Sequence, residues 1–102
     1  MEEHKAAWGD GNCRLEEERL EFLRSYDFMK LGQALNHRNW QVAAMTVQRM
    51  QNRIKELELD MFARQFTGIR QCILHKQDRQ AKDLLALVMA KRAGMLNGKH
   101  TD

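Results

Sequence analysis

No proline occurs in the 102 residues of this chain, and there are only six glycines. Proline removes a backbone donor and interrupts a helix interior, so its absence allows long uninterrupted helices. No stretch of six or more residues alternates apolar and polar side chains in the way a half-buried strand would. The length suits one domain with its own core and is too short for two. The sequence therefore predicts a single all-α domain.

Apolar residues recur at steps of three and four along most of the chain, which predicts five helices. The first is expected from about Arg14 to Arg24, and the sequence does not decide whether it is separate from the second. Residues that can cap a helix N-terminus precede each of the later helices: Ser25, Asn39, Asp60 and Asp78. The apolar stripes predict the following inward residues: Leu15, Phe22, Leu23, Phe28, Leu31, Leu35, Trp40, Ala43, Ala44, Val47, Met50, Ile54, Leu57, Phe62, Phe66, Ile69, Ile73, Ala81, Leu84, Leu85, Val88 and Met95.

The chain resembles itself at an offset of 38 residues, which aligns Phe28 with Phe66 and His37 with His75. This similarity predicts two helix–turn–helix hairpins in tandem. Two antiparallel hairpins close most simply into an up-and-down four-helix bundle. Stacked repeats are the alternative, but such arrays usually need at least three units to cover their faces. The prediction is a four-helix bundle with an additional N-terminal helix.

The predicted bundle domain covers residues 14–97. Residues 1–13 contain two glycines and no periodicity, so a flexible N-terminal segment is expected there. Gly94 and the pair Asn97–Gly98 are expected to end the last helix, which leaves a flexible tail over residues 98–102.

The charge of the chain is unevenly distributed, although its formal total is only +3. Residues 1–27 carry eight acidic and four basic side chains, whereas residues 28–102 carry six acidic and thirteen basic ones. Such asymmetry is found in nucleic-acid-binding proteins, but here the basic residues form no run longer than two. A solvated helical surface, or an acidic helix against a basic body, explains the pattern more simply.

The two cysteines, Cys13 and Cys72, lack the spacing of metal ligands. Cys72 falls on an apolar helix face, so a buried free thiol is expected. The acidic start Met1–His4 does not resemble a signal peptide, and the longest apolar run, Leu84–Ala90, is too short to span a membrane. A cytoplasmic protein is expected.

None of the four histidines forms a recognisable site for catalysis or metal binding. His37 and His75 are predicted at helix C-termini, where an imidazolium interacts favourably with the helix dipole. No Glu-x-x-His pair of the kind used by di-iron bundles lies in the body of the chain. The only serine, Ser25, has no base nearby in sequence, and there is no glycine-rich phosphate loop. The prediction is a non-enzymatic protein without a cofactor or metal.

The stretch from Phe28 to Leu96 resembles the histidine-containing phosphotransfer (HPt) domains. The segment Leu35–Trp40 looks like the family's first turn, and Ala43–Asn52 occupies its phosphoacceptor motif. Leu57–Leu59 looks like the Leu-Gly turn that follows, Phe62–Ala63 opens the next helix, and Gln77–Asp78 sits at the last turn. The resemblance implies a four-helix bundle of the signalling class.

The chain departs from the family at the residues that carry the chemistry. Gln48 stands where the family has its histidine, Gln51 where it has a lysine and Asn52 where it has a glycine. An amide cannot accept a phosphoryl group as an imidazole nitrogen does, and the lysine that would steady the negative charge is also lost. The resemblance therefore implies a relative that is incompetent in phosphotransfer.

The polar face of the third helix is the predicted binding surface for a protein partner, either receiver-like or a kinase. This face comprises Gln48, Arg49, Gln51, Asn52 and Lys55, flanked by Arg53, and its weak charge makes the free-energy cost of desolvating it moderate. Two alternatives remain, a small basic nucleic-acid-binding protein and a tetratricopeptide-like adaptor. A homodimer is also open, through exposed apolar residues such as Met61, Leu74 and Met89.

Overall fold

The computed structural model describes residues 14–101, with side chains over residues 14–97. This part of the chain contains helices and turns and no strand. The helices are α1 (14–23), α2 (Asp27–Asn36), α3 (Trp40–Glu56), α4 (Asp60–Leu74) and α5 (Asp78–Thr101). Each of α2, α3 and α4 packs against the next helix, and α5 returns to pack against α2. The predicted up-and-down bundle is confirmed, because stacked repeats would not bring α5 back to α2.

Three reversals with the same backbone geometry join α2 to α5. Helices α2, α3 and α4 each end in a Schellman motif, in which the residue after the C-cap takes a left-handed conformation. These residues are Arg38, Glu58 and Lys76, with φ of 56°, 56° and 58°. The closing N–H···O=C bonds run from Asn39 to Ala34 (2.8 Å), from Leu59 to Ile54 (2.9 Å) and from Gln77 to Cys72 (2.8 Å). Short reversals of this kind make successive helices antiparallel, although none of the three carries the glycine that usually occupies the left-handed position.

The predicted N-cap at Asn39 is confirmed, since its Oδ1 accepts a hydrogen bond from the Val42 N–H at 3.3 Å. The cap at Ser25 is wrong. Tyr26 occupies the N-cap position of α2 in a helical conformation, without a side-chain cap bond. Ser25 lies in the bend before it, and its Oγ is buried without a hydrogen-bond partner among the described residues.

The predicted caps at Asp60 and Asp78 are also wrong by one position, because each is the first residue of its helix. Leu59 is the N-cap of α4 and makes no side-chain cap bond. A carboxylate in the first turn still stabilises the positive end of a helix. Asp78 Oδ2 also accepts a hydrogen bond from Arg38 Nε at 3.3 Å, and this hydrogen bond holds the pKa of the Asp78 carboxyl below its usual value.

The core consists of one continuous apolar cluster along the axis of the bundle. Its largest fully buried side chains are Phe28, Phe62 and Phe66. The inward predictions hold for most positions, with two differences on α3. Ala44 is exposed although its spacing fits the apolar stripe, and Thr46 is buried although it is polar.

Cys72 is a buried free cysteine, as expected, and desolvation raises the pKa of its thiol. Cys13 lies outside the described residues, as does the predicted flexible segment 1–13. His37 and His75 are the exposed C-cap residues of α2 and α4, which confirms their predicted positions at helix C-termini.

Helices α1 and α2 are separate, and both follow α5 in the antiparallel direction. A Cβ on Gly32 would lie 3.6 Å from a methyl carbon of Leu85. Nearer the C-terminus of α5, the Arg92 guanidinium lies 5.1 Å from the ring centre of Phe28, and its Nε donates to the Leu23 carbonyl. The long α5 therefore spans both shorter helices.

Further contacts fix α1 to the reversal between α3 and α4 and to α2. Arg19 Nε donates to the Leu57 carbonyl at 2.8 Å, which satisfies one of the carbonyls left open at the end of α3. The rings of Phe22 and Phe28 lie 5.2 Å apart and tilted by 58°, a favourable geometry for aromatic side chains. The additional N-terminal helix is thus an integral part of the core.

The predicted end of α5 is wrong, because the helix continues through Gly94 and Asn97–Gly98 to Thr101. The segment expected to be a tail from residue 98 is therefore helical up to residue 101. Met95 and Leu96 pack against the core on the far side of Gly94. Tertiary packing of this kind overrides the weak helix propensity of glycine.

Gly94→Ala is expected to raise the free energy of unfolding by about 0.5–1 kcal/mol, because alanine loses less entropy than glycine in a helix. A Cβ at this position would meet no atom within 4 Å, so the gain is not offset by a clash. Urea unfolding followed by circular dichroism measures the change. A destabilised variant would contradict a continuous helix at this position.

No helix in the described part of the chain is both long enough and apolar enough to cross a membrane.

Candidate protein-interaction face

A shallow groove of about 340 Å³ runs between α3 and the first three turns of α4. Its floor includes the buried side chains of Ile54 and Phe66. The two helices are antiparallel, so each contributes one ridge of residues spaced by three and four. The ridges consist of Gln48, Gln51, Asn52 and Lys55 from α3 and of Asp60, Ala63, Thr67 and Arg70 from α4. We refer to these eight residues as the α3–α4 face.

Gln48 is exposed near the middle of α3. Its Nε2 donates to Asn52 Oδ1 at 3.4 Å, one turn further along the helix. On the facing ridge Thr67 Oγ1 donates to the Ala63 carbonyl at 3.0 Å. Both bonds stay within one helix, so no hydrogen bond between these side chains closes the groove.

The charged residues of the α3–α4 face are Lys55, Asp60 and Arg70. None of them forms an ion pair with another residue in the described range. Unpaired surface charges are hydrated and can exchange water for a partner of opposite charge. With two cations and one anion, the face is only weakly charged.

The structure does not bring Arg49 to this face. Arg49 points toward α2, where its guanidinium holds both carboxylate oxygens of Asp27 at 2.8 and 3.4 Å. The hydrogen bond and the charge of Asp27 raise the pKa of Arg49. Arg53, the predicted flank of the face, bonds to Glu56 at 2.7 Å and lies 3.9 Å from Glu18. Arg49 therefore joins α3 to α2, whereas Arg53 bonds within α3 and also approaches a carboxylate of α1.

Sequence reasoning located the α3 ridge and missed the α4 ridge. The signal was present, because Asp60, Ala63, Thr67 and Arg70 recur at steps of three and four on the polar side of α4. An up-and-down bundle places consecutive helices side by side. One of the two polar edges of α4 therefore has to lie beside the polar ridge of α3. The sequence alone does not say which edge.

Other recesses lie elsewhere on the bundle. A depression of about 630 Å³ lies along α1, but all its described lining residues come from that helix and the bend after it. A smaller recess of about 280 Å³ lies between α2 and α3, around His37 and Val42. Among the described residues, no three of histidine, cysteine, aspartate and glutamate lie close enough together to hold a metal ion.

Comparisons with known proteins find no match for this chain among protein-family models, curated proteins or solved structures.

Proposed function

We propose that this protein is a non-catalytic, HPt-like interaction module that binds a protein partner through the α3–α4 face. The observation that carries the proposal is the exposed Gln48, at one end of a groove whose polar rim side chains make no bonds across it. A partner can reach this groove without breaking any ion pair between described residues. The proposal includes a role in signalling and a cytoplasmic location, where a free thiol such as Cys72 is usual.

The composition of the face suits a reversible protein contact. The rim of the groove is polar, its floor is apolar and the net charge of the α3–α4 face is small. Non-obligate protein interfaces also combine a polar rim with a more apolar centre. Hydrogen bonds from the amides of Gln48, Gln51 and Asn52 can replace water at modest cost in free energy. The partner class proposed is a receiver-like domain or a kinase, as the HPt-like resemblance implies.

The same residues make phosphotransfer through this helix chemically unfavourable. A phosphoryl group is accepted by a nucleophilic lone pair, which a neutral imidazole nitrogen offers and a carboxamide nitrogen does not. Gln51 supplies no positive charge to the place where phosphate oxygens would lie. Binding without transfer is therefore the activity we assign to the α3–α4 face.

Restoring the family's residues tests the proposal directly. The triple variant Gln48→His, Gln51→Lys and Asn52→Gly is expected to accept a phosphoryl group from a phosphorylated receiver domain, whereas the natural protein is not. The readout is acid-labile, radioactive phosphate on the protein, located by mass spectrometry. The matched control is Gln41→His, which places a histidine on an exposed turn of the same helix, outside the α3–α4 face.

Two results would overturn the proposal. Label on a histidine of the natural protein would show that it transfers phosphate without the substituted residues. If the triple variant is folded and remains unlabelled with every receiver domain tried, the likeness to the HPt family is limited to bundle geometry. Binding is read separately, as changes in the amide resonances of Gln48, Gln51 and Asn52 when an unphosphorylated receiver domain is added.

A further inference from the structure

Helix α5 carries apolar residues on its outward face as well as on its inward face. Its inward face carries Ala81, Leu85 and Val88, all buried. Its outward face carries Leu87, which is 56% exposed. Beside Leu87 lie further exposed residues without polar side chains: Ala86, Ala90, Ala93 and Gly94. Between these apolar residues α5 also exposes Arg79, Gln80, Asp83 and Lys91.

Two of these polar residues, Asp83 and Lys91, carry opposite charges and stand on either side of Leu87 along the helix. Asp83, Leu87 and Lys91 are spaced by four residues and so lie in one row along the helix. Asp83 and Lys91 are eight residues apart, or about 12 Å along the axis at 1.5 Å per residue. Neither forms an ion pair within the described part of the chain, and the only hydrogen bond of the Lys91 ammonium is to the Met61 carbonyl at 3.0 Å.

The charges in this row are complementary to the same row of a second copy whose α5 runs in the opposite direction. If two α5 helices pack antiparallel with the two-fold axis at Leu87, Asp83 of each copy faces Lys91 of the other. The arrangement forms two identical ion pairs around a central contact between the two Leu87 side chains. A parallel arrangement would instead place like charges together, which disfavours it. Closed two-fold symmetry with one self-complementary patch is also the commonest architecture of soluble oligomers.

We propose that a second copy of this chain covers the outward face of α5, as an antiparallel two-fold dimer centred on Leu87. The alanines and the glycine beside Leu87 allow the two helices to approach closely. The dimer face lies on α5 and the α3–α4 face on the other side of α4, so the two can be occupied together. This inference does not depend on the function proposed above.

The dimer is expected to be weak. A stable interface usually buries about 800 Å² on each partner, and the face of one helix with few large side chains provides less. Sedimentation velocity over a concentration series reaching about 1 mM therefore measures the monomer–dimer equilibrium. The natural protein is expected to shift from monomer to dimer within this range. Monomer throughout the series would overturn the proposal.

Charge reversal tests the arrangement as well as the state of association. Asp83→Lys alone and Lys91→Asp alone each create two like-charge contacts, so each is expected to weaken dimerisation about tenfold or more. When these two single variants are mixed, both ion pairs are restored, because each copy supplies the charge that the other needs. The mixture is therefore expected to form a heterodimer about as strongly as the natural protein forms its homodimer. Only an antiparallel pairing of Asp83 with Lys91 gives this pattern.

Two further variants separate the interface from the rest of the surface. Leu87→Glu is expected to abolish dimerisation, whereas Leu74→Glu, at a residue of similar exposure on α4, is expected to leave it unchanged. Circular dichroism establishes that each variant is folded. A mixture of Asp83→Lys and Lys91→Asp that stays monomeric would overturn the antiparallel arrangement, as would a Leu87→Glu variant that still dimerises.

Discussion

Arg92→Met is expected to lower the free energy of unfolding by about 2–3 kcal/mol. Arg92 is half-buried, donates a hydrogen bond to the Leu23 carbonyl at the end of α1, and lies over the ring of Phe28. Methionine keeps much of the packing of the side chain but removes the charged donor. The variant therefore leaves a partly buried carbonyl unsatisfied and loses the cation–π contact, which is worth about 0.5–1 kcal/mol or more.

The measurement is urea unfolding of Arg92→Met beside Arg64→Met. Arg64 is exposed on α4 and makes no hydrogen bond or ion pair with other described residues, so its variant is expected to stay within about 0.5 kcal/mol of the natural protein. Amide hydrogen exchange shows which helix is destabilised by the substitution. Protection in α1 is expected to fall first in Arg92→Met, because that helix loses one of the side-chain bonds that fix it to α5. Equal stability of the two variants would contradict the bond to Leu23.

The sequence was sufficient to predict the helices and their inward faces, because periodicity depends only on spacing within one helix. The stripe of Phe62, Phe66 and Ile69 is an example, and all three residues are buried. The internal similarity at an offset of 38 residues predicted that the helices form two similar hairpins in tandem. These features are local or repeat themselves, so no knowledge of the three-dimensional contacts is needed to find them.

The wrong predictions concern positions where contacts between helices decide the outcome. Gly94 was expected to end α5, but packing of Met95 against the core continues the helix beyond it. Ser25 was expected to cap α2, but the bend that brings α1 and α2 along α5 moves its hydroxyl out of reach of the helix amides. Neither effect is visible in local sequence.

Arg49 shows the same limit at the candidate site. One residue along α3 turns a side chain by 100°, which separates Gln48 in the groove from Arg49 beside Asp27. The sequence placed both on one polar face, because it cannot say which neighbouring helix lies on which side. The half of the groove that α4 supplies was missed for the same reason.

Glu58→Gly combined with Lys76→Gly is expected to raise the free energy of unfolding by about 1–2 kcal/mol. Both residues have a left-handed backbone, with φ of 56° and 58°, and a residue with a Cβ loses about 1–2 kcal/mol there. Glycine removes that strain, although its greater freedom in the unfolded chain offsets about 0.5–1 kcal/mol at each position. The two positions lie in different reversals, so their effects are expected to add.

Arg38, the third left-handed residue, is left unchanged because its bond to Asp78 joins the first reversal to α5. Neither Glu58 nor Lys76 makes a side-chain hydrogen bond or ion pair within the described range, so glycine removes nothing but the strain and the charge. The control is Gln71→Gly, at an exposed position inside α4, where the same substitution is expected to cost about 1 kcal/mol. Urea unfolding of the three proteins is expected to rank the double variant first, the natural protein second and Gln71→Gly last. A double variant less stable than the natural protein would mean that these reversals do not hold a left-handed residue, and the three matching Schellman motifs would then be wrong.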